Sequence, residues 1–177
     1  CDPALVYENY EGGSAKLDLC IELIRSAVEA GHKILLFSQF TTMIEILTAR
    51  LQEEKISYFV LQGNTKKEQR AQMVEQFNRD NTSVFCISLK AGGTGLNLTG
   101  ADIVIHYDPW WNVAVENQAT DRAHRIGQKN VVTVYKLIAE GTIEEKIIKL
   151  QQMKKELAEE ILSGDEIKTA SFQREEL

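Results

Sequence analysis

The sequence has 177 residues, 44% of them hydrophobic and 26% charged, which is the length and composition of one ordinary globular domain. The formal net charge of −6 at pH 7 excludes a globally basic nucleic-acid-binding protein, so any contact with nucleic acid must be local. The three cysteines form neither a C-x-x-C pair nor a His/Cys cluster, which argues against a metal site and against a secreted disulfide framework.

Apolar residues predict alternating helices and strands in the first third of the chain. Apolar residues between positions 17 and 28 recur at helical spacing, which predicts a helix, and Gly31 follows as a stop signal. The short apolar run at residues 33–38 predicts a buried strand, and residues 43–51 predict the next helix. A second strand is expected at Tyr58–Leu61.

A capping box predicts the start of a third helix. The Thr65 side chain can bond the Glu68 amide while the Glu68 carboxylate bonds back. The apolar face of this helix is Ala71, Met73, Val74 and Phe77. Further short apolar runs predict a third strand at residues 84–87 and a fourth at residues 103–105. Cys20 and Cys86 fall inside apolar runs and are predicted to be core thiols.

The remaining elements are predicted by the same signals. A helix is expected at about residues 113–124, followed by a fifth strand at residues 131–135. A second capping box at residues 142–145 opens a long helix that is expected to end at about Ile161. After Gly164 the sequence is polar, which predicts a frayed tail.

Strongly apolar strands joined by helices predict an α/β fold of three layers, α/β/α, with a mostly parallel central sheet covered on both faces. In such sheets ligands meet the loops at the carboxyl ends of the strands. Three of the four inter-strand loops there are rich in Gly, Ser, Thr, Asn or Lys, which suits contact with phosphates. Taken alone each loop is weak evidence, because strand ends need turn residues anyway. Neither a Walker A motif nor G-x-G-x-x-G occurs in the chain.

The segment at residues 118–128, QATDRAHRIGQ, carries the strongest functional signal. Arg122 and Arg125 lie three residues apart, which places both guanidinium groups on one face of the predicted helix. Two guanidinium groups suit a triphosphate, whose charge must be neutralised in the transition state. The alternative is a solvated helix face with ion pairs to Asp121 or Glu116.

In their order along the chain, these motifs resemble the second RecA-like lobe, the helicase C-terminal lobe, of SWI/SNF-type superfamily 2 DNA translocases. The matching segments are residues 34–41, 61–63 with Arg70 and Phe77, 88–97, 108–112 and 118–128. Val113 departs from the family, which usually has Pro after Trp-Trp-Asn. The first lobe, which carries the Walker residues, is absent from this sequence. The chain starts at Cys1 without Met, and we interpret it as part of a longer protein.

The resemblance implies a nucleotide site shared with the first lobe. Arg122 and Arg125 resemble arginine fingers, the catalytic residues, with Arg125 as the principal finger. Such a finger is worth roughly 10³ to 10⁵ in rate. Together with Gln118, Gly95 and Asn97 they would contact ATP, whose Mg ion would be held mainly by the missing lobe.

The resemblance also implies contacts with the double-stranded DNA backbone, which give little sequence preference. The residues expected to track phosphates are Ser38, Gln39, Gly63, Lys90, Gly93 and Thr94. Lys66, Lys67 and Arg70 either touch DNA or form a solvated helix face. Trp110 and Trp111 resemble an element that couples DNA to the nucleotide, and core packing or an aromatic anchor is the alternative.

The predicted division of the chain is a lead-in at residues 1–13, the RecA-like lobe at 14–141, a brace helix at 142–163 that returns toward the first lobe, and a tail at 164–177. The expected partners are double-stranded DNA and the N-terminal lobe of the same parent chain. No apolar run is long enough to span a membrane, and we expect an intracellular protein.

The sequence therefore predicts the second motor lobe of a DNA-stimulated ATPase that moves along duplex DNA. Alone it should neither bind ATP tightly nor hydrolyse it. Alternatives are a helicase lobe that separates strands, a non-enzymatic docking module, and a Rossmann-like small-molecule enzyme. The last of these needs a Gly-rich loop after the first strand and an acidic residue after the second, whereas this chain has Ser-Gln-Phe-Thr and Gln-Gly-Asn-Thr there.

Overall fold

The computed structural model describes residues 14–88, 91, 96–123 and 130–172, with side chains as far as Glu159. Within these residues the chain forms five strands and five helices. The strands are β1 (Ile34–Ser38), β2 (Tyr58–Leu61), β3 (Val84–Ser88), β4 (Ile103–His106) and β5 (Thr133–Lys136). The helices are α1 (Ala15–Glu29), α2 (Thr41–Glu53), α3 (Lys67–Arg79), α4 (Val113–Thr120) and α5 (Ile143–Phe172).

The strands form one sheet in the order β2-β3-β1-β4-β5, and each neighbouring pair is parallel. In the register, Ile34 of β1 pairs with Val84 of β3 on one side and with Ile103 of β4 on the other. The predicted parallel α/β fold is therefore confirmed. The carboxyl ends of the strands lie together at one edge, and the predicted site residues Ser38, Gln39 and Gly63 lie at or within two residues of strand ends there.

Two hydrophobic cores cover the two faces of the sheet, because side chains alternate along each strand. On β1, Ile34 and Leu36 pack into the core that α1 and α2 complete. Leu35 and Phe37 point to the other core, which Phe77 of α3 and the segment after β3 help to fill. The three central strands are buried throughout, whereas β5 is exposed at all four positions.

Cys20 and Cys86 lie in the first core as free thiols, which confirms that prediction. Burial raises the pKa of Cys20 to about 12 and raises that of Cys86 as well. The predicted stop after α1 is also confirmed. Gly31 has φ +84°, a conformation that favours glycine, and the amide of His32 returns to the carbonyl of Ala27 at 3.0 Å.

The capping box predicted for α3 is wrong. The helix begins at Lys67 with Lys66 as its N-cap, and the Thr65 hydroxyl accepts the amide of Gln62 at 3.1 Å instead. The hydroxyl therefore closes the turn that leaves β2, and it is not available to the helix. Of the predicted apolar face, Phe77 is buried, Met73 and Val74 are half-buried, and Ala71 is exposed.

Three further boundaries differ from the prediction. Helix α4 ends at Thr120, and a turn of i to i+3 hydrogen bonds follows it, so Arg122 lies beyond the helix. The fifth strand begins at Thr133, and Val131, which we expected in it, is 90% exposed. Helix α5 extends eleven residues beyond the predicted end at Ile161 and passes through Gly164, whose cost of about 1 kcal/mol a long helix can absorb.

The capping box predicted for α5 is wrong in its bonds, although Thr142 does bond the first turn of the helix. The Thr142 hydroxyl accepts the amide of Glu144 at 3.2 Å. The carboxylate that reaches back is that of Glu144 rather than Glu145, and it accepts the amide of Ala139 at 2.8 Å. Among the described residues, none of the helices combines the length and apolar character that a bilayer crossing requires.

Candidate functional site

The ends of β1 and β4 are joined by the carboxylate of Asp108. The Ser38 hydroxyl donates to Oδ1 of Asp108 at 2.8 Å, and the Gln39 amide donates to Oδ2 at 2.9 Å. Ser38 and Asp108 are buried, whereas Gln39 is half-buried and donates its side-chain amide to the carbonyl of Pro109 at 3.3 Å. Of the two predicted DNA contacts in this loop, Gln39 is thus the one with accessible surface.

An ion pair between α1 and α5 lies behind Asp108. Lys16 contacts Glu144 at 2.5 Å, and its ammonium group also stands 4.9 Å from the centre of the Tyr107 ring. Burial raises the pKa of Asp108, although its two hydrogen bonds and the nearby Lys16 charge act in the opposite direction. For Glu144 burial acts to raise the pKa, but the bonds from Lys16 and from the Ala139 amide outweigh it and lower the pKa.

The loops after β2 and β3 are tied together by Arg70, which extends from α3. Its guanidinium donates to the carbonyls of Thr65 at 2.8 Å, Gly63 at 3.0 Å and Ala91 at 3.3 Å. Arg70 therefore neither belongs to a solvated face nor points freely toward a ligand. It holds two predicted DNA-tracking loops in register, and it leaves Gly63 exposed.

The arginine segment is bonded to the segment that follows β3. The Leu98 amide donates to the carbonyl of Arg122 at 3.1 Å, which places exposed Asn97 beside the arginine turn. The carbonyl of Asn97 accepts the side-chain amide of Asn78 at 2.8 Å. Gln118 is exposed on α4, one turn before this point. Of the predicted nucleotide-contacting residues, the structure thus places Asn97 beside the turn of Arg122, and Gln118 precedes Arg122 by four residues along the chain.

Arg122 is 2% exposed and is one of the largest fully buried side chains of the described chain. The alternative of a solvated ion pair is therefore wrong for Arg122, and Glu116, one of its suggested partners, pairs with Lys136.

The Trp110–Trp111 pair is split between the core and the surface. Trp110 is half-buried against the second core, whereas Trp111 is 51% exposed. The amide of Trp110 donates to Oε2 of Glu116 at 3.2 Å, and its carbonyl accepts the side-chain amide of Gln151 of α5. Core packing is therefore correct for Trp110, and Trp111 remains available for a partner.

Sequence reasoning missed the buried polar residues that organise this edge, His106 and Glu116. His106 stacks on Phe37 with 5.4 Å between ring centres and bonds the Thr120 hydroxyl at 3.0 Å. Burial lowers the pKa of His106 to about 4, with Lys136 acting in the same direction and Glu116 against it. Helical spacing was the available signal for Glu116, because it lies three residues before buried Ala119.

Five predicted site residues lie outside the described residues: Lys90, Gly93, Thr94, Gly95 and Arg125. Among the residues that are described, no group of three or more His, Cys, Asp or Glu side chains is arranged to hold a metal ion.

A parallel sheet whose carboxyl edge carries these loops defines the chain as a RecA-like α/β lobe. Comparison with known proteins agrees. The model of the helicase conserved C-terminal domain matches residues 15–127. The crystal structure of the C-terminal part of the Fun30 ATPase domain superposes with a TM-score of 0.76 at 35% identity, covering 82% of this chain and 48% of that one.

Curated relatives give the same result. The chain is 47% identical to an uncharacterized ATP-dependent helicase of Mycoplasma pneumoniae, over 93% of the chain and 16% of the relative. It is 42% identical to the human chromatin-remodeling ATPase INO80 and 42% identical to the putative ATP-dependent helicase/translocase YwqA of Bacillus subtilis. Each of these two matches covers 93% of the chain but only 11% and 19% of the relative, respectively. The chain belongs to the helicase conserved C-terminal domain family and is a lobe of the SWI/SNF type.

Proposed function

We propose that this chain is the second motor lobe of an ATP-dependent double-stranded DNA translocase or remodelling ATPase. The observation that carries the proposal is the hydrogen bond from Leu98 to Arg122, which joins the arginine segment to the segment after β3. These two segments are the ones expected to face the nucleotide and the DNA. A direct bond between them supports a lobe in which both ligands are sensed at one edge.

The described residues fit one side of a nucleotide site. Asn97 and Gln118 are both exposed, and in this proposal they orient the sugar and phosphates of ATP. Arg125, three residues further on, is the principal finger that neutralises phosphate charge, with Arg122 beside it. Because the Arg122 side chain is buried, its burial supports a secondary role for Arg122 and the principal role for Arg125. ATP supplies the phosphoryl group that water accepts. The Mg ion of ATP would be held mainly by the first lobe.

The DNA-binding part of the proposal rests on the loops that Asp108 and Arg70 hold in place. Gln39 and Gly63 present polar side-chain and main-chain groups at the carboxyl edge of the sheet. Lys90, Gly93 and Thr94 join the proposal through their place in the sequence after β3. Contacts of this kind reach phosphates, so the lobe should bind duplex DNA with little sequence preference. An intracellular location follows from the partner.

The test is ATP turnover by the two-lobe parent protein, with and without duplex DNA, for the native protein and Arg125→Ala. We expect DNA to stimulate turnover and the substitution to reduce it roughly 10³-fold while ATP still binds. Arg79→Ala is a matched control, because Arg79 is an exposed arginine paired with Glu75 on the surface of α3. Turnover that is indifferent to both DNA and Arg125 would contradict the proposal and favour a docking module.

A further inference from the structure

The backbone of Trp110 is held from two sides by two different helices. Its amide donates to Oε2 of Glu116 of α4, and its carbonyl accepts the side-chain amide of Gln151 of α5. Glu116 is 1% exposed and Gln151 is 7% exposed, so water does not compete effectively for either bond. We call these three residues the Trp110 junction.

The other oxygen of Glu116 pairs with Lys136 at the end of β5. Lys136 lies opposite His106 in the sheet register, and His106 bonds Thr120 in the last turn of α4. One buried carboxylate therefore joins the helix that leads into the arginine segment, the edge strand and the loop that carries both tryptophans. A displacement of any one of them must be shared with the others or break a contact of the buried Glu116 carboxylate, which is costly.

We propose that Glu116 and Gln151 are positioning residues that couple α5 to the arginine segment through the backbone of Trp110. The inference deepens the proposed function and rests on it: a shift of α5 that follows DNA engagement is passed by Gln151 to Trp110, and by Glu116 to α4. Neither side chain needs to touch ATP or DNA. Their effect is on the DNA stimulation of turnover rather than on the chemical step.

The direct variant is Gln151→Leu, which keeps the volume but removes the donor to Trp110. Gln152→Leu is its matched control, because Gln152 is exposed on the same helix and bonds Glu156 at 3.0 Å. In the two-lobe parent, Gln151→Leu should lower DNA-stimulated turnover at least about fivefold, the low end of typical coupling between sites, and leave turnover without DNA unchanged. Gln152→Leu should behave as the native protein does.

A second variant, Glu116→Gln, replaces the charged acceptor of the Trp110 amide with a weaker neutral one and removes the charge paired with Lys136. The double variant with Gln151→Leu should lose much less than the product of the two single losses, because both act on one residue. If the fold loss of the double variant equals the product of the two single fold losses, the two substitutions cause independent structural defects and the inference is overturned.

An optical measurement separates the junction from the proposed function. Trp110 and Trp111 are the only tryptophans of this 177-residue chain, whose sheet is enclosed by two cores of its own. In the purified 177-residue chain, Gln151→Leu should red-shift the tryptophan emission and increase its quenching by acrylamide. Gln152→Leu should do neither. A change in turnover without an optical change, or the reverse, overturns the coupling. If Arg125→Ala is inactive while Gln151→Leu matches Gln152→Leu in both assays, the junction fails and the proposed function stands.

Discussion

At the scale of single residues, three buried carboxylates organise the carboxyl edge of the sheet in the same way. Asp108, Glu116 and Glu144 each accept a backbone amide from a neighbouring loop, those of Gln39, Trp110 and Ala139. A buried carboxylate needs such donors because removal from water is costly for the charge. The site loops are therefore positioned by side chains that belong to other elements.

His106 gives this edge a pH dependence. Its pKa is lowered to about 4 in the folded chain, against about 6.5 when unfolded, so folding favours the neutral ring. Stability from this group is present above pH 6.5 and is lost as the pH falls toward 4. At ~1.4 kcal/mol per pKa unit, the loss amounts to at most about 3.5 kcal/mol.

Urea unfolding of the chain between pH 7 and pH 4 measures this loss. His106→Gln should flatten the decline in unfolding free energy relative to the native chain. His32→Gln is the control, because His32 is 46% exposed by side chain at the opposite edge and should leave the decline in place. Equal slopes for the native chain and His106→Gln would show that His106 is not the titrating group.

At the scale of elements, the start of α5 is fixed to α1 by the Lys16–Glu144 pair, whose side chains are 9% and 4% exposed. Glu144→Gln retains an acceptor for the Ala139 amide but leaves the Lys16 charge buried without its partner. Breaking a buried pair in this way typically costs about 3 kcal/mol. We expect thermal or urea unfolding to show a loss of that size.

The matched control is Glu159→Gln, since Glu159 pairs with Lys155 on the exposed side of the same helix at 3.9 Å. Exposed pairs contribute little, so this variant should be near native in stability. Adding Lys16→Met to Glu144→Gln should restore part of the loss, because the orphaned charge is then removed. A double variant less stable than Glu144→Gln would contradict this explanation.

The elements themselves were largely predictable, and their ends were not. Apolar runs such as residues 84–87 specify central strands because both faces of the sheet are covered. The predicted end of α4, at about residue 124, is too late, because the residues after Thr120 continue a helical pattern in the sequence. In the structure the chain turns there, and the carbonyl of Arg122 accepts the amide of Leu98. The Thr65 prediction failed because a nearby amide, that of Gln62, competes for the same hydroxyl.

The position of the candidate site at the carboxyl edge of the sheet was predictable from the sequence. The hydrogen bonds that hold its loops in place were not. The predicted parallel sheet and the loop composition placed Gln39, Gly63 and Asn97 at one edge, because parallel strands end at one side. The roles of Arg70 and Asp108 depend on partners 21 and 70 residues away, which local patterns do not encode. The backbone carbonyl of Arg122 likewise accepts its bond from Leu98, 24 residues earlier in the chain.

At the scale of the whole molecule, the chain spans under a fifth of each of the relatives compared. On the proposed function, the arginine segment acts on a nucleotide that a second lobe would hold. We expect the purified 177-residue chain to show ATP turnover at the level of a protein-free blank and to bind ATP weakly. Steady turnover above blank, insensitive to Arg125→Ala in the same chain, would contradict the split site.

The alternation along β1 has a consequence for how such a lobe can vary. Ile34 and Leu36 serve one core while Leu35 and Phe37 serve the other, and both neighbours of β1 share its register. One inserted residue would exchange the contents of both cores at once and misalign two flanking strands. Insertions and deletions should therefore be confined to the connections between elements. The length of β1 must stay constant, both in natural relatives and in engineered variants.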